Sequence, residues 1–359
     1  MTTFMLIAAL LLFFGLLYWG KGYWAWVLGG AAALIGWWLS EVESETLFRL
    51  AAVLGLVLAV IFGLPALRRG VISNMLMGFA AKAMPGMGET ERIALDAGTV
   101  WWDGDLFSGR PDWDKLLAFR PKPLSDAEQA FLDGPVEEAA AMMDDWEISQ
   151  TRDLPENVWA FLKKNRFFGM IIPEEYGGLG FSAYAHSQVV TKLSSRSSTA
   201  AVVVMVPNSL GPAELILHYG TQDQKDHYLP RLATGEEMPC FALTEPTTGS
   251  DAAATRSTGV VCKGQFEGKE VLGLRLNWAK RYITLSSVAT VVGLAFRCLD
   301  PDGLLGGAED RGITCALIPA GLPGIDIGQR HDPMGIPFPN GPVFGRDVFV
   351  PLDFVIGGE

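Results

Sequence analysis

Three stretches near the amino terminus are almost wholly apolar, and the pattern that follows them differs in kind. "FMLIAALLLFFGLLYW" (Phe4 to Trp19), "GYWAWVLGGAAALIGWWL" (Gly22 to Leu39) and "LFRLAAVLGLVLAVIFGLPAL" (Leu47 to Leu67) show no polar face. A bilayer core of ~30 Å needs ~20 helical residues, so the third run is long enough to cross it and the first two are short. Trp19, Tyr23, Trp24, Trp37 and Trp38 fall at run ends, where aromatic belts sit. The pattern predicts a transmembrane anchor of two or three spans over residues 1–70, then a linker and extension over 71–123.

Beyond residue 124 apolar positions recur at helical spacing. Ser125 and Glu128 form a capping box ahead of "AFLDGPVEEAAAMMDDW", Pro155 opens "ENVWAFLKKNRFFG", and "SAYAHSQVVTKLSS" continues the period. Asn208 is placed to cap "SLGPAELILHYG", and Thr221 with Gln224 to cap "DQKDHYLPRLATG". "AAVVVMV" is short and β-branched and reads as helix or strand. After Pro239 the chain turns to short β-rich runs: "CFALT", "GVVCKGQF", "VLGLRLNWA", "RYITLSS", "VATVVGLAFRC", "GITCALIPA" and "DVFVPLDFVI", separated by Gly, Pro and Asp. The expected fold class is α+β: amino-terminal transmembrane helices, an all-α domain over 124–238, and a small β-barrel-like domain over 239–359.

Charge sharpens this picture. Residues 1–70 hold four basic and three acidic side chains, so the remainder carries a net charge of −13 and the whole chain −12. An acidic body with no basic stripe cannot neutralise a phosphate backbone, which argues against a nucleic-acid partner. Lys21 follows the first apolar run, "EVESE" the second, and Arg68 with Arg69 the third. The positive-inside rule then puts the amino terminus outside and everything after Arg69 in the cytoplasm. Cys240, Cys262, Cys298 and Cys315 are widely spaced among apolar neighbours, and no histidines cluster, so core packing in a reducing compartment is expected and a metal site is not. "GGLGFS" (Gly177 to Ser182) lacks the full G-x-G-x-x-G and its βαβ frame, and is not a dinucleotide site.

The chemistry concentrates in "CFALTEPTTGSD", residues 240 to 251. A plain turn needs only Pro and Gly; this one adds the hydroxyls of Thr244, Thr248 and Ser250, and Gly249, beside which a backbone can approach a ligand closely. With "IIPEEYGGLGFSAYA", "NSLGPAELILHYGTQDQKDHYLPRLATGE" and "KRYITLSSVATVVGLAF" in that order, residues 89 to 359 resemble the acyl-CoA dehydrogenase family. "ETERIALDAGTVWWDGDLFSGRPDW" and the apolar leader are similar to its large membrane-associated bacterial branch, FadE.

The resemblance implies FAD as cofactor. It carries Phe241, Leu243, Thr244, Gly249 and Ser250 over to one flavin-binding element and Tyr282, Ile283 and Thr284 to a second, with Ser250 also near the acyl-CoA entrance. Tyr282 stands where most relatives have Trp, and Thr248 where many have Ala. The family's proton-abstracting Glu stands on a carboxy-terminal helical domain, so no catalytic residue is assigned here and the base is expected beyond Glu359, the chain being a fragment. The implied function is α,β-dehydrogenation of fatty acyl-CoA to trans-2-enoyl-CoA in β-oxidation. An electron-transfer flavoprotein would be the acceptor, and the full-length form a homo-oligomer. Two alternatives stand beside it: a non-catalytic anchored module that binds flavin or acyl-CoA, and an acyl-CoA oxidase-like enzyme. The hydropathy pattern predicts that alkaline carbonate leaves the protein in the membrane pellet and that periplasmic protease spares everything after Arg69; release by carbonate would refute the anchor.

Overall fold

The computed structural model of the chain describes residues 2–40, 44–84, 86, 92, 95–96, 98, 100–209 and 211–358. Two units form, Met1–Gly88 and Glu89–Glu359. In the first, the three apolar runs are helices: α1 (Thr2–Tyr18), α2 (Gly22–Trp38) and α3 (Glu45–Gly63). Glycines let α1 and α2 pack closely; a Cβ on Gly29 would stand 3.1 Å from the Phe13 side chain. The expectation of two or three spans is reduced by their lengths. Among the described residues only α3, at 19 residues, is long and apolar enough to cross a membrane, whereas α1 and α2 have 17 each.

In the second unit, helices precede a sheet. Both expected capping boxes form, at Ser125 with Glu128 and at Thr221 with Gln224. Pro135 cannot donate to the helix ladder, and the backbone widens to a π-turn over Leu132–Val136. "AAVVVMV" becomes helix, Ser198–Met205, because Ala200, Ala201, Val203 and Val204 are buried, and packing outweighs β-branching. Asn208 does not cap the next helix, whose N-cap is Gly211. Buried instead, its Oδ1 accepts from the Met170 N–H (2.8 Å) and its Nδ2 donates to the carbonyls of Phe167 (2.7 Å) and Val204 (2.8 Å).

The sheet has seven strands: β1 (Pro239–Ala242), β2 (Thr258–Phe266), β3 (Lys269–Thr284), β4 (Val291–Leu299), β5 (Asp310–Pro319), β6 (Ile325–Ile327) and β7 (Asn340–Pro351). "VLGLRLNWA" and "RYITLSS" are one long strand, β3, rather than two. It follows β2 through a two-residue turn in which Glu267 (φ 49°) and Gly268 (φ 77°) supply the left-handed pair that a twisted hairpin needs. One edge of β4 takes β1 and then β2 end to end, both parallel to it, and the other edge takes β5. β3, β7 and β6 continue the sheet from β2, and no pairing among the described residues joins β5 to β6. The barrel-like domain is thus a curled half-barrel, not a closed one. One buried apolar cluster runs from Phe167, Leu193 and Val203 of the helices to Leu274, Phe296 and Val350 of the sheet.

"GGLGFS" has a packing explanation. Gly177 (φ 79°) and Gly180 (φ 61°) are left-handed, and a Cβ on Gly178 would stand 2.0 Å from the Ile172 carbonyl oxygen. That overlap is with backbone, which cannot swing away. Gly178→Ala should cost about 3 kcal/mol and lower the thermal midpoint of the second unit by several degrees in calorimetry; an unchanged midpoint would show that the turn has room.

Candidate functional site

β1 carries Phe241, which lies against Gly293 of β4, and after Ala242 the chain leaves the sheet. What holds the following turn is not strand pairing. The inward positions of β3 are Leu274, Leu276, Trp278 and then Lys280, a lysine at the end of an apolar stripe with no side-chain exposure. Its ammonium donates to Glu245 Oε1 at 2.8 Å and to the Leu243 carbonyl at 3.0 Å, and the next residue's N–H, of Arg281, donates to the Thr244 carbonyl at 2.8 Å.

Glu245 is saturated. Besides Lys280 it accepts from the hydroxyls of Thr255 and Ser257 (the latter 2.6 Å) and from the N–H groups of Arg256 (2.9 Å) and Ser257 (3.0 Å). Burial pushes the carboxyl up, but the hydrogen bonds from Lys280, Ser257, Thr255 and the Arg256 N–H pull it further down, to about 2. Glu245 is therefore a carboxylate at neutral pH and a poor acceptor for a substrate proton, while burial pushes the Lys280 ammonium below its ordinary range against the pull of Glu245.

This clamp brings together the two segments predicted from sequence. Past Lys280 the strand alternation breaks: Arg281 and Tyr282 are both exposed, Tyr282 has φ 59°, and the β3–β7 register shifts between Lys280 and Ile283. The Tyr282 ring has the Arg281 guanidinium 5.2 Å from its centre and the His331 ring 5.1 Å away, while Ile283 turns into the core.

The hydroxyls divide sharply. Thr248 is buried and donates to the Ala254 carbonyl at 3.1 Å, which makes it a turn-forming residue. Thr244 and Ser250 show no side-chain partner among the described residues, half-buried and exposed respectively, and space beside Gly249 is open to 4 Å. Thr284 accepts from Asn340 Nδ2 at 3.1 Å. This donor set suits a flavin: hydroxyls without internal partners at strand ends, beside a backbone that a ligand can approach. Sequence reasoning missed Lys280, Asn340 and His331. The alternation of β3 pointed to Lys280, since it falls on the inward phase; Asn340 and His331 gave no local signal.

The acyl-CoA dehydrogenase N-terminal domain matches residues 124–236 and the middle domain residues 240–348. The chain belongs to the acyl-CoA dehydrogenase family. That family is one of oxidoreductases, and FAD is its cofactor. The human very long-chain specific mitochondrial acyl-CoA dehydrogenase is 28% identical over 258 residues, covering 70% of this chain and 38% of its own. FadE10 of Mycobacterium tuberculosis, a probable acyl-CoA dehydrogenase, is 32% identical, covering 76% of this chain and 41% of its own. Glutaryl-CoA dehydrogenase from Mycobacterium smegmatis superposes with a TM-score of 0.54 at 25% identity, covering 66% of this chain and 57% of that one. The chain thus spans about two fifths of the length of these curated relatives.

Removing Lys280 would strand a buried carboxylate, so Lys280→Met should destabilise the second unit by about 3–5 kcal/mol, and E245Q/K280M should recover part of that loss. The acid dependence has a definite sign. Because the folded Glu245 value lies below the ordinary 4.5, its contribution is complete above about 4.5 and lost as pH falls toward about 2. Glu128 is also held near 2, by the N–H groups of Ser125 and Ser182, so wild type must be compared with E245Q, in which Glu128 is unchanged. Their denaturation midpoints should approach each other between pH 4.5 and 2; a constant gap would remove Glu245 from the acid transition.

Proposed function

We propose that the whole protein is a membrane-anchored, FAD-dependent acyl-CoA dehydrogenase that oxidises fatty acyl-CoA to trans-2-enoyl-CoA in fatty-acid β-oxidation. One observation carries this reading. Two hydroxyl-bearing segments, Thr244–Ser250 and Tyr282–Thr284, are locked side by side by the Lys280–Glu245 pair, and Thr244 and Ser250 keep their hydrogen-bonding capacity for a ligand.

In the reaction an acyl-CoA loses a proton from Cα and a hydride from Cβ, and bound FAD supplies the hydride acceptor. Thr244, Ser250 and Thr284 would donate to bound FAD, Phe241 and Leu243 would shape its apolar surroundings, Ile283 anchors its segment in the core, and Gly249 would admit the close approach of the cofactor. Ser250 stands also at the acyl-CoA entrance. Tyr282, exposed where relatives carry Trp, takes the ring-packing role. Glu245 is not the proton acceptor, because its oxygens are committed to Lys280, Thr255, Arg256 and Ser257. That role belongs to another group. The anchor holds the catalytic part on the cytoplasmic face of the bacterial inner membrane, where electrons pass to an electron-transfer flavoprotein. The full-length form is a homo-oligomer.

The test is FAD retention. T244V/S250A in the full-length protein removes two ligand hydrogen bonds, each worth about 1–3 kcal/mol when the partner stays unsatisfied, so the dissociation constant should rise at least tenfold. Unchanged flavin content and spectrum would reduce the turn to a structural element.

A further inference from the structure

Asn340 opens β7 at 3% exposure, where a polar side chain is tolerated only if its amide is hydrogen-bonded. Nδ2 stands 3.1 Å from the Tyr282 carbonyl and 3.1 Å from Thr284 Oγ1, and Oδ1 stands 3.2 Å from His331 Nδ1. A carbonyl only accepts, so the atom facing Tyr282 must be the nitrogen; turning the amide over would set oxygen against oxygen. The rest follows from counting donors. Nδ2 has two hydrogens, one for the Tyr282 carbonyl and one for Thr284 Oγ1. The Thr284 oxygen is therefore an acceptor toward Asn340, and its own O–H must donate elsewhere. Oδ1 can only accept, so the His331 proton sits on Nδ1.

The backbone at Tyr282 needs such a clamp. Its φ of 59° is unfavourable for a residue with a side chain. The loop that carries His331 is itself gripped. Arg152 pairs with Asp332, Arg330 Nη1 stands 3.5 Å from Asp153, and Arg330 Nη2 donates to the Pro337 carbonyl at 3.0 Å. The His331 N–H donates to the Asn340 carbonyl at 2.7 Å, which ties the loop to the start of β7.

We propose that Asn340 is a positioning residue for the cofactor. By holding the Tyr282 carbonyl and filling the acceptor side of Thr284, it commits the Thr284 O–H to the flavin, and His331 fixes the amide that does so. The inference rests on the flavin-site reading above and adds the device that orients one of its donors.

Asn340→Asp keeps the shape and the acceptor for His331 but puts an oxygen where Nδ2 stood. In the full-length protein N340D should weaken FAD binding at least tenfold. It should also lower the flavin midpoint potential, because a donor that stabilises negative charge on the reduced flavin is free to turn away. T284V alone should lower the potential similarly, and T284V added to N340D should lower it no further. H331N, whose amide nitrogen replaces Nδ1, should keep wild-type affinity, whereas H331A should not; the two His331 variants carry the test if N340D fails to fold. A merely structural Asn340 would reduce the thermal midpoint, leave the potential unmoved and add fully to T284V, and that pattern would overturn the proposal. Wild-type protein that binds no FAD would overturn the flavin-site reading itself; tight FAD binding with an unmoved potential in N340D would overturn only the role of Asn340.

Discussion

Lys280 and Glu245 form a full ion pair inside the second unit, the lysine with no side-chain exposure and the glutamate with 4%. Removing two charges from water costs several kcal/mol each, and their attraction offsets this only when the remaining donors and acceptors are also satisfied. They are satisfied here: four further donors surround the carboxylate, and the ammonium also meets the Leu243 carbonyl. The consequence is geometric. Glu245 belongs to a turn outside the sheet, and Lys280 lies near the end of its longest strand. A well-formed pair between them sets the distance between the segments on which any ligand-binding role depends. Among the described residues, what else ties the turn after β1 to β3 is the Lys280 bond to the Leu243 carbonyl and the Arg281 N–H bond to the Thr244 carbonyl.

The same device recurs elsewhere in this unit with single buried polar side chains. Asn208 joins its own helix to Phe167 and Met170, and Gln224 donates from a helix cap to the carbonyls of Asp353 (2.8 Å) and Val355 (2.7 Å). Glu128 caps one helix and receives the N–H of Ser182, where another begins. Apolar contact is non-directional and leaves sliding possible, whereas a buried side chain with all its hydrogen bonds made fixes register. The helices and the sheet share one apolar core, and these polar joints determine how they meet.

Within the turn, hydrogen-bond accounting separates structural from ligand-facing hydroxyls. Thr248, Thr255 and Ser257 bond within the chain; Thr244 and Ser250 show no partner among the described residues. Residue type alone could not draw that line, since all five belong to a threonine- and serine-rich stretch. Tyr282 also acquires a setting, an exposed ring close to a guanidinium and an imidazole.

The sequence by itself determined what depends on local pattern. Hydrophobic periodicity placed the apolar helices, the capping boxes at Ser125 and Thr221, and the order of helices before strands, because each is decided within a few neighbouring residues. The ordered motifs carried the family. What only the tertiary structure decided involves partners distant in the chain. Asn208, an N-cap by its local context, serves the core; "AAVVVMV" is helical because its surroundings bury it; and two apparent strands merge into β3. Among the described residues only one apolar run forms a helix long enough to cross a membrane, since helix ends depend on where each cap falls. Lys280 and Asn340 escaped notice for the same reason. Their partners lie 35 and 58 residues away, and no local rule reports which buried polar group will find which acceptor.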